Sequence, residues 1–187
     1  MTAHPPVAFD GALRPEWFDR ALAVRAETAS AEEFRAELRE HLRPQIQGRV
    51  SLDKTLQQLQ RTVGFRSPAP PERLAEALDR LVSEPIESRV LVRLSLLLAS
   101  VPFLSACGCA VVRMADASGD RFTSAQLCAR MQERYGHRAT IPRRVMYALQ
   151  TLAAFGGLKH ERPSWARLQA LSRAVAAAED FGGGMRR

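Results

Sequence analysis

The stretch LSLLLASVPFLSACGCAVV, residues 94–112, runs for 19 residues without a charge. No other part of the 187-residue chain constrains its fold as strongly. A run of this length approaches that of a membrane-spanning helix. A chain that carries one must place it in lipid or wrap the rest of itself around it. Pro102 lies in its middle, Ser95, Ser100 and Ser105 dilute it, and Gly108 weakens its second half. Arg93 and Arg113 bracket it symmetrically, so the charge bias that orients membrane helices is missing. Proline inside a helix removes a hydrogen bond and breaks it. The stretch therefore reads as two short helices meeting near Pro102 and buried in a core, with no membrane span.

The rest of the chain is rich in Ala, Leu, Arg, Glu and Gln, all good helix formers. Pro15 can open a helix whose apolar set is Trp17, Phe18, Ala21, Leu22 and Val24. Ser30–Glu33 (SAEE) predicts a capping box, followed by a helix with Phe34, Leu38, Leu42 and Ile46 on one side. Leu52, Leu56, Leu59 and Val63 repeat at helical spacing in the next segment. RSPAPPE, residues 66–72, holds three prolines and suits a semi-rigid linker. A helix from Pro71 to about Val82 then carries Leu74, Leu78 and Leu81, and Pro85 opens the helix that enters the uncharged stretch. ADASGD, residues 115–120, is a polar turn. The expected fold is mostly α. Residues 1–66 form an N-terminal helical domain, 67–72 a proline-rich linker and 73–187 a C-terminal helical domain.

Charge is unevenly spread. The net charge is +7. Residues 1–120 carry 15 basic and 16 acidic side chains, whereas residues 121–187 carry 12 basic and 4 acidic. A localised basic excess is the electrostatic footprint of a protein that binds a polyanion.

That same third of the chain contains a recognisable unit. Thr123–Gln126 (TSAQ) predicts a second capping box and a helix through Leu127 and Met131 to about Tyr135. GHRA makes a turn, Thr140 caps a further helix with Pro142 in its first turn, and Gly156 and Gly157 stop it. LKHERPSW is a short strand or loop, and Pro163–Asp180 is a last helix with Trp165, Leu168, Leu171 and Val175 inward. FGGGMRR is expected to fray. Helix, short turn, helix, glycine stop and basic extended segment describe a winged helix-turn-helix at about 121–162, with at most a short wing hairpin. In such a unit the start of the second helix meets base edges in the major groove. Ile141, Val145, Leu149 and Leu152 fall on its inner side, and Arg143, Arg144, Tyr147, Gln150 and Thr151 on the other. Arg143 and Arg144 sit in the first turn, where the helix dipole disfavours cations, and a duplex would compensate them. Arginine takes guanine bidentately, and Arg, Thr and Tyr also bind phosphate. Lys159, His160 and Arg162 fall in the wing, and Arg138 and Thr140 are further phosphate candidates. Arg49, Lys54 and Arg61 form a second candidate DNA contact in the N-terminal part.

Other chemistries find little support. Cys107, Cys109 and Cys128 sit in or near the most apolar region and read as buried thiols in a reducing compartment, with no metal site formed with His137. The chain start, MTAHPPVAFDG, has no basic and no apolar signal region, so a cytoplasmic protein is expected. His4, His41, His137 and His160 lie in unrelated settings, and no phosphate-binding loop or hydrolase motif occurs. Glu32, Glu33, Glu37 and Glu40 interleave with Arg35, Arg39 and Arg43, as on a solvated, salt-bridged helix face. No enzyme and no cofactor are expected.

Three stretches resemble the BrxA family, small accessory proteins of bacterial BREX phage-exclusion systems. FDGALRPEWFDRAL resembles that family's opening, and GRVSLDKTLQQLQRTVG its basic amphipathic helix. PFLSACGCAVVRM, the Thr123–Gln126 helix and TIPRRVMYALQTLAAFGGL follow the order of its C-terminal half. The resemblance implies an all-α, two-part protein that binds double-stranded DNA in the cytoplasm, beside a methyltransferase, an ATPase and other defence components. A winged-helix transcription regulator, a protein-docking adaptor without DNA affinity and an RNA-binding helical bundle are the alternative readings.

Overall fold

The structure, a computed structural model, describes residues 9–183. The uncharged stretch spans two helices, α5 (Ile86–Ser100) and α6 (Pro102–Ser118), bent by 118° where they meet at Val101. The expected break falls at Pro102, which takes the first position of α6, where its missing N–H needs no partner. No single helix among the described residues is long and apolar enough to cross a membrane. Leu94, Leu97, Leu98, Leu104, Cys107 and Val111 are buried to 1% exposure or less.

Four helices precede this pair: α1 (Pro15–Glu27), α2 (Ala31–Leu42), α3 (Arg49–Thr62) and α4 (Pro71–Ser83). After it come β1 (Arg121–Phe122), α7 (Ser124–Tyr135), α8 (Ile141–Ala154), β2 (Leu158–Glu161), β3 (Ser164–Arg167) and α9 (Gln169–Gly183). The fold is thus mostly helical with a small antiparallel sheet of order β1-β3-β2. The fraying expected of the tail falls, beyond Gly183, outside the described residues, as do His4 and the chain start up to Ala8.

The local signals mostly act as expected. Pro15 and Pro71 stand in the first turns of α1 and α4. Around α7, Thr123 and Gln126 complete a reciprocal capping box, at 3.2 Å and 2.7 Å. At α2 the Ser30 hydroxyl accepts from the Glu33 N–H, but the Glu33 carboxylate reaches one residue further back, to the Ala29 N–H at 3.0 Å. Thr140 precedes α8 in helical conformation and makes no side-chain cap bond. Helix α8 ends as expected: Gly156 takes φ +79°, and the Gly157 N–H returns to the Leu152 carbonyl at 2.7 Å.

Three expectations need correction. The polar turn expected at residues 115–120 is shorter, because α6 continues through Ser118 and leaves only Gly119 and Asp120 before β1. The last helix begins at Gln169, not Pro163, because Ser164–Arg167 forms β3 and pairs with both other strands. Trp165 is buried from that strand, while Leu168 stays 37% exposed. The acidic and basic residues of α2 do not pair along their own helix among the described residues. Arg35 and Arg39 both reach Asp53 of α3, at 3.3 Å and 2.5 Å, and Glu37 takes Arg20 of α1 at 2.6 Å. These pairs tie three helices together.

Side chains on both sides of the proline-rich stretch share one hydrophobic core, from Phe9 and Phe18 through Leu97 and Phe103 to Leu149 and Leu171. Phe18 of α1 meets Phe155, just past α8, edge to face at 5.5 Å. Arg93 of α5 forks onto both carboxylate oxygens of Asp19 in α1.

Hydrogen bonding from Arg39 holds the Asp53 carboxyl below its ordinary value of 3.8. A carboxyl held low in the folded state stabilises above its unfolded pKa and loses that contribution as pH falls through the folded pKa. Asp53→Asn is therefore expected to unfold more readily than the wild type near neutral pH. The gap should close as pH falls below 3.8 in denaturant titrations across acid pH.

Candidate nucleic-acid interface

Helix α7, the turn at 136–140 and helix α8 pack against each other, and β2 and β3 follow as a hairpin. Gly136 opens the turn at φ +80°, and the Ile141 N–H bonds the Arg138 carbonyl at 3.0 Å to close it. Ile141, Val145, Ala148, Leu149 and Leu152 bury one side of α8. Its exposed stripe is Pro142, Arg143, Met146, Gln150 and Ala154, with Tyr147 half-buried along its edge.

The paired arginines separate. Arg143 is exposed, and its side chain has no ion-pair or hydrogen-bond partner among the described residues. Arg144 lies one step round the helix and is held by Asp10, whose Oδ1 accepts from Nε at 3.1 Å and Nη2 at 2.8 Å. Its side chain is only 17% exposed. One of the two charges in this unfavourable first turn is thus compensated from within, by a residue 134 positions away.

Thr151 is not a duplex contact. It is fully buried, and its hydroxyl accepts the Leu13 N–H at 3.0 Å. Position 151 lies seven residues beyond Arg144, hence on the same flank of the helix, and segment 9–13 covers that flank. Arg138 and Thr140 stay exposed at the turn, and Gln150 stays exposed on the outer stripe.

In the hairpin, Lys159 pairs with Glu161 at 3.0 Å, and Arg121 of β1 joins the same carboxylate at 2.9 Å. The Lys159 hydrogen bond, and then the Arg121 charge, hold the Glu161 carboxyl below its ordinary range. His160 stacks on its cross-strand partner Trp165 at 4.3 Å. Arg162 is exposed at the hairpin tip. Arg167 clamps the far end of β3 to Asp116 and Asp120.

Of the second candidate set, Arg49 is exposed and stands 3.9 Å from Asp53. Lys54 and Arg61 line a small pocket that Asp10, the partner of Arg144, also lines. The sequence offered no signal for Asp10, because its role depends on a contact across nearly the whole chain.

Cys107 is buried and its thiol pKa is pushed up by that burial, while Cys109 and Cys128 are half-buried. No group of three or more His, Cys, Asp or Glu side chains able to hold a metal occurs among the described residues. Comparison of the chain with protein-family models, curated proteins and solved structures finds no match.

Thr151→Val keeps the side-chain shape but leaves the buried Leu13 N–H without an acceptor. It is expected to lower unfolding free energy by about 1–3 kcal/mol. The salt dependence of any duplex binding should not change. Thermal unfolding beside a binding titration separates the two effects.

Proposed function

We propose that the protein is a non-enzymatic, double-stranded DNA-binding accessory protein that presents α8 to the major groove as part of a winged helix-turn-helix. The observation that carries this reading is the arrangement around α8. A turn-bounded helix pair leads into an antiparallel hairpin, and a strand ahead of the pair completes the sheet in the order β1-β3-β2. Arg138 and Arg143, at the start of α8, and Arg162, at the hairpin tip, are exposed cations without partners among the described residues. In this reading Arg143 reaches base edges, and Arg138, Thr140 and Arg162 reach phosphates. Gln150 and Tyr147 lie further along the same helix, and Lys159 and His160 complete the hairpin's contribution. The resemblance of three stretches to the BrxA family supports assigning this activity to a BREX-type anti-phage system in the cytoplasm. A methyltransferase and an ATPase would then be the neighbouring components.

One observation favours a protein-docking adaptor instead. A groove of about 510 Å3 between α6 and α7 has Ala106, Ala110 and Met131 on its floor and Arg113, Arg130 and Arg134 at its rim. An adaptor would show no duplex affinity at physiological salt and would co-purify with a large partner.

Fluorescence anisotropy of a labelled duplex at several salt concentrations tests the first reading. Binding should weaken with salt by a log–log slope of about −0.9 per phosphate contacted. Arg143→Ala should lose about 1–3 kcal/mol at one base position and relax preference there if it reads guanine. A uniform loss with a shallower slope would assign it to phosphate. Asp10→Asn releases Arg144 for the duplex and should steepen the slope by up to about 0.9. Wild-type protein with no duplex affinity at physiological salt would end this reading.

A further inference from the structure

Next to the Asp10–Arg144 pair, α3 and the α5–α6 junction enclose a pocket of about 100 Å3, lined by Asp10, Lys54, Arg61, Ser100, Val101 and Pro102 among others. That is well below the roughly 300–1,000 Å3 of sites for drug-sized ligands. It admits a small ion and excludes a base. Three features give it one electrostatic sign. Lys54 and Arg61, two turns apart on α3, line it together, and neither has an ion-pair or hydrogen-bond partner among the described residues. The 17-residue helix α6 begins there, with Val101 and Pro102 in the lining, so its positive dipole end lies at the pocket. Among the described residues the lining holds one carboxylate, Asp10, whose Oδ1 already accepts from both Nε and Nη2 of Arg144.

A fourth feature points to a ligand more directly. Ser100 lines the pocket and is 6% exposed, and its hydroxyl oxygen has no hydrogen-bond partner among the described residues. Buried hydroxyls are nearly always partnered, because an unmade bond leaves the group stripped of water with nothing in exchange. An acceptor seated in the pocket would take that proton. A small anion with several oxygens suits these features together: it accepts from Ser100, neutralises Lys54 and Arg61, and sits at the positive end of α6.

We infer that this pocket seats one phosphoryl group, and that its source is a backbone phosphate of the duplex, which brings α3 of the N-terminal half into the interface. The source rests on the duplex-binding reading; the seat does not. The Asp10–Arg144 pair joins the two regions, since Asp10 belongs to the pocket and Arg144 to the first turn of α8.

Two measurements on the full chain test seat and source separately. In the first, isotope-labelled protein is titrated with inorganic phosphate against sodium chloride of equal ionic strength, and amide shifts are followed by NMR. Saturable shifts are expected at Val101, Phe103 and Leu104, and the Lys54→Ala/Arg61→Ala double variant should lose them. Ser100→Ala should weaken phosphate several-fold without lowering Tm, because the hydroxyl it removes has no partner to lose; a merely structural serine would lower Tm and leave the titration unchanged. Absence of saturable α6 shifts in the wild type overturns the seat, whatever the variants do. In the second, duplex binding is measured across salt. The double variant should show a slope shallower by about 0.9, the loss of one phosphate contact. An unchanged slope with the α6 shifts intact overturns the duplex as the source and assigns the seat to a free phosphate or nucleotide. A wild type that takes phosphate but no duplex has the same consequence and also ends the reading of the previous subsection.

Discussion

The bend between α5 and α6 is the constraint on which the other elements depend. The uncharged run across it cannot be left in water, since each buried Leu or Val there is worth about 1.5–3 kcal/mol. A straight helix of this composition would need cover along its full length from all sides. Bending it by 118° folds the apolar length into a corner that a chain of this size can enclose. Helix α9 packs along α5, which α4 and α3 also contact, and α7, α8 and β1 pack on α6. Gly108 sits within α6 where Leu98 and Val175 press in, and a Cβ there would meet both at 3.3 Å. A larger residue at that crossing would require one of these side chains to give by a few tenths of an ångström.

The second organising contact is the passage of segment 9–13 along one flank of α8. Phe9 and Leu13 are buried, Leu13 bonds Thr151, and Asp10 holds Arg144. Phe18 then packs on Phe155 at the helix end. A helix that would otherwise offer two flanks is left with one outward stripe, Arg143, Met146, Gln150 and Ala154. In the duplex-binding reading this favours a protein that makes few base contacts and draws most of its affinity from phosphates touched by the turn, the hairpin tip and α3. Such binding is strongly salt-dependent and weakly selective.

Charge counted along the chain differs from charge placed in space. The basic excess of residues 121–187 is partly neutralised by acids from outside that segment, because Asp10 holds Arg144 while Asp116 and Asp120 hold Arg167. Within the segment, Glu161 gathers Lys159 and Arg121. Further arginines, Arg20, Arg35, Arg39 and Arg93, serve as ties between helices. Much of this arginine-rich composition is therefore structural. Cations without partners among the described residues occur at the turn before α8, at Arg143, at the hairpin tip and on α3, but also away from these places, at Arg43, Arg66, Arg113 and Arg173.

What the sequence by itself determined was local. Prolines at helix starts, the Thr123–Gln126 box, the glycine stop at 156–157 and the apolar spacing of each helix act over a few residues, where covalent geometry and hydrogen-bond reach decide the outcome. The helical class, the break at Pro102 and the inner side of α8 were legible for that reason. The tertiary structure decided everything that depends on contacts distant in sequence. Ser164–Arg167 became a strand because two partner strands were there to pair with it, although its composition also suits a helix. Thr151 turned inward and Arg144 was paired because segment 9–13 lies against them. Lys54, Arg61, Ser100 and the start of α6 meet in one pocket for the same reason. Neither periodicity nor composition records which surfaces meet, because burial of the apolar corner selects the packing and side chains far apart in the chain become neighbours only as a result.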